Sequence, residues 1–139
     1  MLSTPNKTNV VVPKQRINLE YDKIPYEIEI EILEENILLR IIVEDEKEEG
    51  NYFAYKGQFN LNELKYLSKF FLMFDNILQA SKALYELIKK KNTEIKKELN
   101  GYDLIVENEM LSEKFKFNLS QLEQDLNWKV ENLIKNIKK

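Results

Sequence analysis

The run YEIEIEI, residues 26 to 32, constrains this chain more than any other stretch. Tyr26, Ile28, Ile30 and Ile32 alternate with Glu27, Glu29 and Glu31. A period of two puts the apolar set on one side of an extended strand and the glutamates on the other, whereas a helix would scatter both sets around its axis. The chain therefore contains a sheet with one face against a core, and the glutamates are expected on its wet face. Those outward charges fit a central or protected strand better than an open edge that adds a partner strand. After a turn at Glu34-Glu35-Asn36, ILLRIIVE reads as the second strand of a hairpin. Upstream, VVVPKQRINLEY offers one or two strands, with Pro13 limiting the first to an edge or a bend because it cannot donate to a ladder. DEKEEGN is a solvated connection and YFAYKGQF a further short strand.

The pattern changes at Asn60. Asn60 and Glu63 have the spacing of a capping box, and Phe59 with Leu64 the spacing of a hydrophobic staple, so a helix starts here. Leu64, Leu67, Phe71 and Phe74 form one helical stripe, and Phe70, Leu72 and Met73 widen it, as for a helix buried between layers. Asn76 with Gln79 offers a second box before Ile77, Ala80, Leu84, Leu87 and Ile88, and Lys89 to Lys91 stand where cations favour a helix C-terminus. Two adjacent helices are thus expected between about Asn60 and Lys91, with Phe70, Phe71 and Phe74 buried. Strands return in EIKKELNGYDLIVE, where Asn100-Gly101 signals a type I′ hairpin turn. ENEMLSEK connects to FKFNL, which aims Phe115, Phe117 and Leu119 at the core.

Ser120 and Glu123 repeat the capping-box spacing and open a last helix. Along it Leu119, Leu122, Leu126, Val130, Leu133 and Ile137 make one apolar stripe suited to a core or a coiled-coil seam, while Trp128 falls nearly opposite. A large aromatic surface on the second side implies that the head or a partner covers it. The expected fold class is α+β: an antiparallel sheet or small sandwich with an inserted helical pair and a C-terminal helix. Residues 1–9 form a flexible lead, 10–119 the head and 120–139 an amphipathic association helix.

At 139 residues there is room for one such head and one projecting element. The chain has no histidine and no cysteine, and only three glycines, Gly50, Gly57 and Gly101, too scattered for a phosphate-cradling loop. No catalytic residue, cofactor or metal site is called for, and an enzyme is the least favoured class. The acidic run Glu44, Asp45 and Glu46 has oxygen donors for a magnesium ion, but reads more simply as a solvated strand end. No apolar run reaches the roughly 20 residues of a membrane span, and the polar start is unlike a signal peptide, so no membrane partner and an intracellular site, cytoplasmic or nuclear, are expected.

Charge is uneven within a net of −3: residues 20–50 hold twelve acids and three bases. An acidic inhibitor or mimic, in which residues 27 to 49 present a negative surface to a basic partner, is therefore one reading. Another is a nucleic-acid-associated factor, in which Lys89 to Lys91, Lys96 and Lys97 meet phosphate and Tyr102 stacks on a base.

The order of elements supports a third. Strands, then NLNELKYLSKFFLMFDNILQASKALYELI as a helical insertion, then EIKKELNGYDLIVE and FKFNL, then a helix leaving the sheet, resemble the head domains of the centriolar cartwheel assembly protein and of the DNA-ligase-IV accessory scaffolds, over most of residues 20 to 139. The resemblance implies a β-sandwich head that dimerises in parallel through its last helix. It also implies a head-to-head contact at an apolar hairpin tip between late strands, which here falls at Met110 or Leu111. The stretch after Leu119 is only about 20 residues, short for a lone coiled coil, and the ligase-binding stalk would lie beyond it. The leading expectation is a non-enzymatic scaffold that self-associates or docks on a protein partner through its C-terminal helix.

Overall fold

The computed structural model describes residues 14–90 and 93–122. The fold is α+β, with eight antiparallel strands in two sheets. The larger sheet has the order β1-β2-β3-β4-β8, from β1 (Gln15–Tyr21), β2 (Ile24–Leu33), β3 (Asn36–Glu44), β4 (Tyr52–Asn60) and β8 (Gln121–Leu122); the smaller is β5 (Thr93–Glu98), β6 (Gly101–Asn108) and β7 (Glu113–Leu119). Between β4 and β5 lie α1 (Leu61–Leu67), a 3₁₀ turn (Lys69–Met73) and α2 (Ile77–Lys89). β2 sits between β1 and β3, so the strand with the glutamates is central.

The period-two pattern places the inner face as expected. Ile28 opposes Ile41 and Ile30 opposes Leu39, and all four are fully buried. β3 and β4 meet β7 across the interior, where Phe59 and Phe117 pack edge to face with centroids 5.1 Å apart. Gly57 permits this approach, because a Cβ there would stand 2.9 Å from the Asn118 carbonyl oxygen. The amphipathic α2 closes the layer with Ala80, Leu84, Leu87 and Ile88, packing on both sheets.

The helical insertion departs from a simple pair. The Asn60 box forms in both directions: its Oδ1 accepts from the Glu63 amide at 2.8 Å, and its own amide donates to Glu63 Oε1 at 2.8 Å. α1 then stops after Leu67, because extended backbone at Ser68 breaks it and the Ser68 hydroxyl caps a new 3₁₀ turn by accepting from the Phe70 amide at 3.0 Å. That break resets the helical phase. Phe70 and Phe71 enter the core and Phe74 lies half-buried, but Leu72 and Met73, expected to widen the core stripe, are turned out to solvent.

Three further expectations are corrected. The outer face of the large sheet is not a wet one: Glu29 is only 2% exposed, between Arg16 of β1 and Arg40 of β3, and Leu38, Ile42 and Ala54 on the same side are buried. The β5–β6 hairpin exists, but its loop is Leu99-Asn100, with neither residue left-handed, so it is not a type I′ turn on Asn100-Gly101. Gly101 already belongs to β6, paired with Glu98, and is needed because a Cβ would collide with the Leu119 backbone. The left-handed pairs occur instead at Asp22-Lys23 and Glu34-Glu35. Finally, the helix expected to open at Ser120 does not start there. Gln121 and Leu122 pair with Lys56 and Tyr55 as β8, carrying the chain from the small sheet to the edge of the large one.

Candidate functional site

The sequence singled out Met110 and Leu111 at a hairpin tip, and the structure builds that tip firmly. Asn108, at the end of β6, is buried, and its Oδ1 accepts from the Met110 amide at 3.1 Å, capping a 3₁₀ turn over Glu109–Leu111. Ser112 then takes a left-handed conformation and donates its amide to the Glu109 carbonyl at 3.1 Å, which turns the chain into β7. Both local bonds hold the backbone while the side chains point away: Met110 is 91% exposed and Leu111 48%. An apolar pair held outward on a capped turn suits insertion into a partner's pocket.

A second exposed apolar group is linked to it through two contacts. Glu113, the first residue of β7, accepts a hydrogen bond from the buried Ser68 hydroxyl, the group that also caps the 3₁₀ turn of the helical insertion. Phe71 packs on Phe115 with centroids 5.5 Å apart. These contacts tie the Met110–Leu111 turn to the segment carrying Leu72 and Met73, 63% and 64% exposed. The exposure of Leu72 and Met73 is hidden in the sequence as long as one helical phase is continued through Ser68. The N-capping capacity of that serine is the signal that would have shown the break.

Other sequence candidates fall elsewhere. Leu122 lies in β8, half-exposed beside Tyr55, and so belongs to a sheet edge rather than to a helical stripe. Leu126, Trp128, Val130, Leu133 and Ile137 lie outside the described residues. The cationic patch is not built as a stacking site: Tyr102 is buried, its ring edge-on to Tyr26 and Tyr55. Lys89 sits 5.4 Å from the Tyr85 ring centroid and Lys96 pairs with Glu98 at 3.8 Å, while Lys91 is outside the described residues. Glu44 accepts from the Gly50 amide at 2.8 Å and Asp45 from the Lys47 amide at 3.0 Å, so these two carboxylates fold their own loop. Among the described residues no group of acids is arranged to hold a metal ion, and no helix is long and apolar enough to cross a membrane.

Two glutamates of the acidic stretch, Glu29 and Glu31, are engaged by arginines. Arg16 Nε donates to Glu29 Oε2 at 3.1 Å, and Arg40 Nη1 donates to Glu31 Oε1 at 2.8 Å and to Glu29 Oε1 at 3.5 Å. Burial pushes the Glu29 carboxyl above its usual range, a desolvation effect that outweighs the pull of Lys14, Arg16 and Arg40. Comparison with protein-family models, with curated proteins and with solved structures finds no match to the chain.

Proposed function

We propose that this chain is a non-enzymatic assembly module, of the kind that the cartwheel and ligase-scaffold heads exemplify, which docks on a second copy of itself through the Met110–Leu111 turn. The carrying observation is that turn: two apolar side chains held outward by the Asn108 cap and the Ser112 reversal. Leu72 and Met73, tethered to the same place through Ser68 and Glu113, widen the contact. The order of elements supports the same reading: four strands, a helical insertion, and three strands returning as a second sheet. In this proposal the C-terminal stripe of Leu126, Val130, Leu133 and Ile137, with Trp128 on its other side, supplies the second contact. The acidic-mimic reading loses two of its carboxylates, because Glu29 and Glu31 are engaged by arginines.

Sedimentation of the full chain over a hundredfold concentration range tests the proposal. Average mass should rise with concentration. In the double variant Met110→Glu/Leu111→Glu the association constant should fall at least tenfold, with the melting temperature unchanged because both side chains are exposed. A wild-type mass that stays at one protomer throughout, or a double variant that associates as the wild type does, overturns it.

A further inference from the structure

At the other end of β6, about 20 Å from the Met110 turn at strand rise, the two sheets part around a cavity of about 350 Å³. This is near the lower limit of ordinary ligand pockets. Its inner wall is built by Tyr26, Tyr55 and Tyr102, which come from β2, β4 and β6. Tyr102 packs edge-on to both neighbours, with centroids 6.0 Å from Tyr26 and 5.5 Å from Tyr55.

Two observations are unusual together. Tyr26 and Tyr102 are more than nine-tenths buried, yet among the described residues neither hydroxyl has a hydrogen-bond partner, although a buried tyrosine ordinarily finds one. At the mouth stand Asp22 and Glu46, and among the described residues neither carboxylate makes an ion pair or hydrogen bond. Glu46 raises the pKa of both Tyr26 and Tyr102, Asp22 that of Tyr26 as well, and burial is the larger cause in each. Tyr102 is pushed up to about 12. Lys47 and Lys97 are also on the rim, but the lining carries four carboxylates, Asp22, Glu44, Asp45 and Glu46, against these two ammonium groups.

We propose that this cavity binds a primary organic ammonium ion, its N–H groups donating to the Tyr26 and Tyr102 hydroxyls and its charge balanced by Glu46 and Asp22. Each part of the lining answers one property of that ligand. The hydroxyl oxygens can accept its N–H groups, the carboxylates balance its charge, and the aromatic wall favours both the charge and an alkyl stem. An anion would meet two unpaired carboxylates, and a neutral apolar ligand would leave both hydroxyls without partners. The ammonium group has two sources, a free diamine or a lysine side chain presented by a protein.

Calorimetric titration of the full chain with cadaverine, with a blocked lysine peptide (N-acetyl, C-amide) and with the same peptide acetylated on Nζ tests this. At least one of the first two should saturate with a Kd below 10 mM, and the Nζ-acetylated peptide should bind at least tenfold more weakly. Tyr102→Phe and Glu46→Gln should each weaken binding about five- to tenfold while the melting temperature stays within a few degrees, since one keeps the ring and the other lies on an exposed loop. Tighter binding of the peptide assigns the site to a partner's lysine; equal or tighter binding of cadaverine assigns it to a free amine. No saturation by either amine, or affinities that ignore both substitutions and Nζ-acetylation, overturns the proposal.

Discussion

The two faces of the large sheet are made from the same strands, yet they are held together by different physics. On β3, Ile37, Leu39, Ile41 and Val43 point into the space shared with α2 and the small sheet, and their neighbours there are aliphatic and aromatic. The residues between them, Leu38, Arg40 and Ile42, point the other way and are almost as well buried. That side is organised by a row across the register, Arg16 opposite Glu29, Glu29 opposite Arg40 and Arg40 opposite Lys56, flanked by the small apolar cluster of Ile42 and Ala54. Alternation in a sequence separates two faces. It does not say that the polar one is wet.

Neighbouring isoleucines give the sharpest test of that difference. Ile41 is fully buried in the main core, whereas Ile42 packs in the small cluster with Ala54 and Tyr52. Ile41→Ala should cost about 4 kcal/mol by chemical denaturation, near the upper range for a large-to-small change in a core that cannot collapse around the gap. Ile42→Ala removes the same atoms from a smaller and more adaptable cluster, and should cost about 2 kcal/mol. Equal losses would break the comparison, showing that the outer face is packed as tightly as the core.

What could be read from the chain beforehand follows the same division between local and distant causes. The Asn60 and Asn76 caps were legible because donor and acceptor are three residues apart, and both form, Asn76 Oδ1 accepting from the Gln79 amide at 2.9 Å. The second box does not close on Asn76, because Gln79 Oε1 accepts from the Asp75 amide at 2.9 Å instead. Ser120 and Glu123 have the same spacing, yet Gln121 and Leu122 are taken by β4, a partner some 65 positions away whose pairing outweighs the local signal. Gly101 was read as a turn residue, but its lack of a side chain answers the passage of Leu119, again a distant contact. Conversely, Glu34-Glu35 adopts two left-handed residues without the usual asparagine or glycine. Asn36 steadies that turn, its Nδ2 donating to the carbonyls of Leu33 at 3.3 Å and Glu34 at 3.1 Å. For the sites, Met110 and Leu111 were reachable because they lie within one short connection. Tyr26, Tyr55 and Tyr102 come together only through three strands in two sheets, and nothing in their spacing announces it.

The outer face also carries a pH dependence in the acid-to-neutral range, where the tyrosines of the inner face do not titrate, and this is the smallest effect. An exposed glutamate ionises near 4.5, whereas burial holds the folded Glu29 carboxyl above that value despite Arg16 and Arg40. As pH rises from about 4 towards neutrality, the unfolded chain therefore loses this proton before the folded protein does. Folding then favours the protonated group, and the stability associated with Glu29 falls as pH climbs through the raised folded pKa. Glu29→Gln leaves a neutral, hydrogen-bonding side chain in the same place and removes that titration, while every other carboxyl is common to both proteins and largely cancels. The stability of the wild type relative to the variant should thus decline between about pH 4 and pH 7, measured by denaturant unfolding at matched ionic strength. If the wild type instead gains on the variant as pH rises, the two arginines outweigh desolvation, and the outer row is a net electrostatic support rather than a buried charge held at some cost.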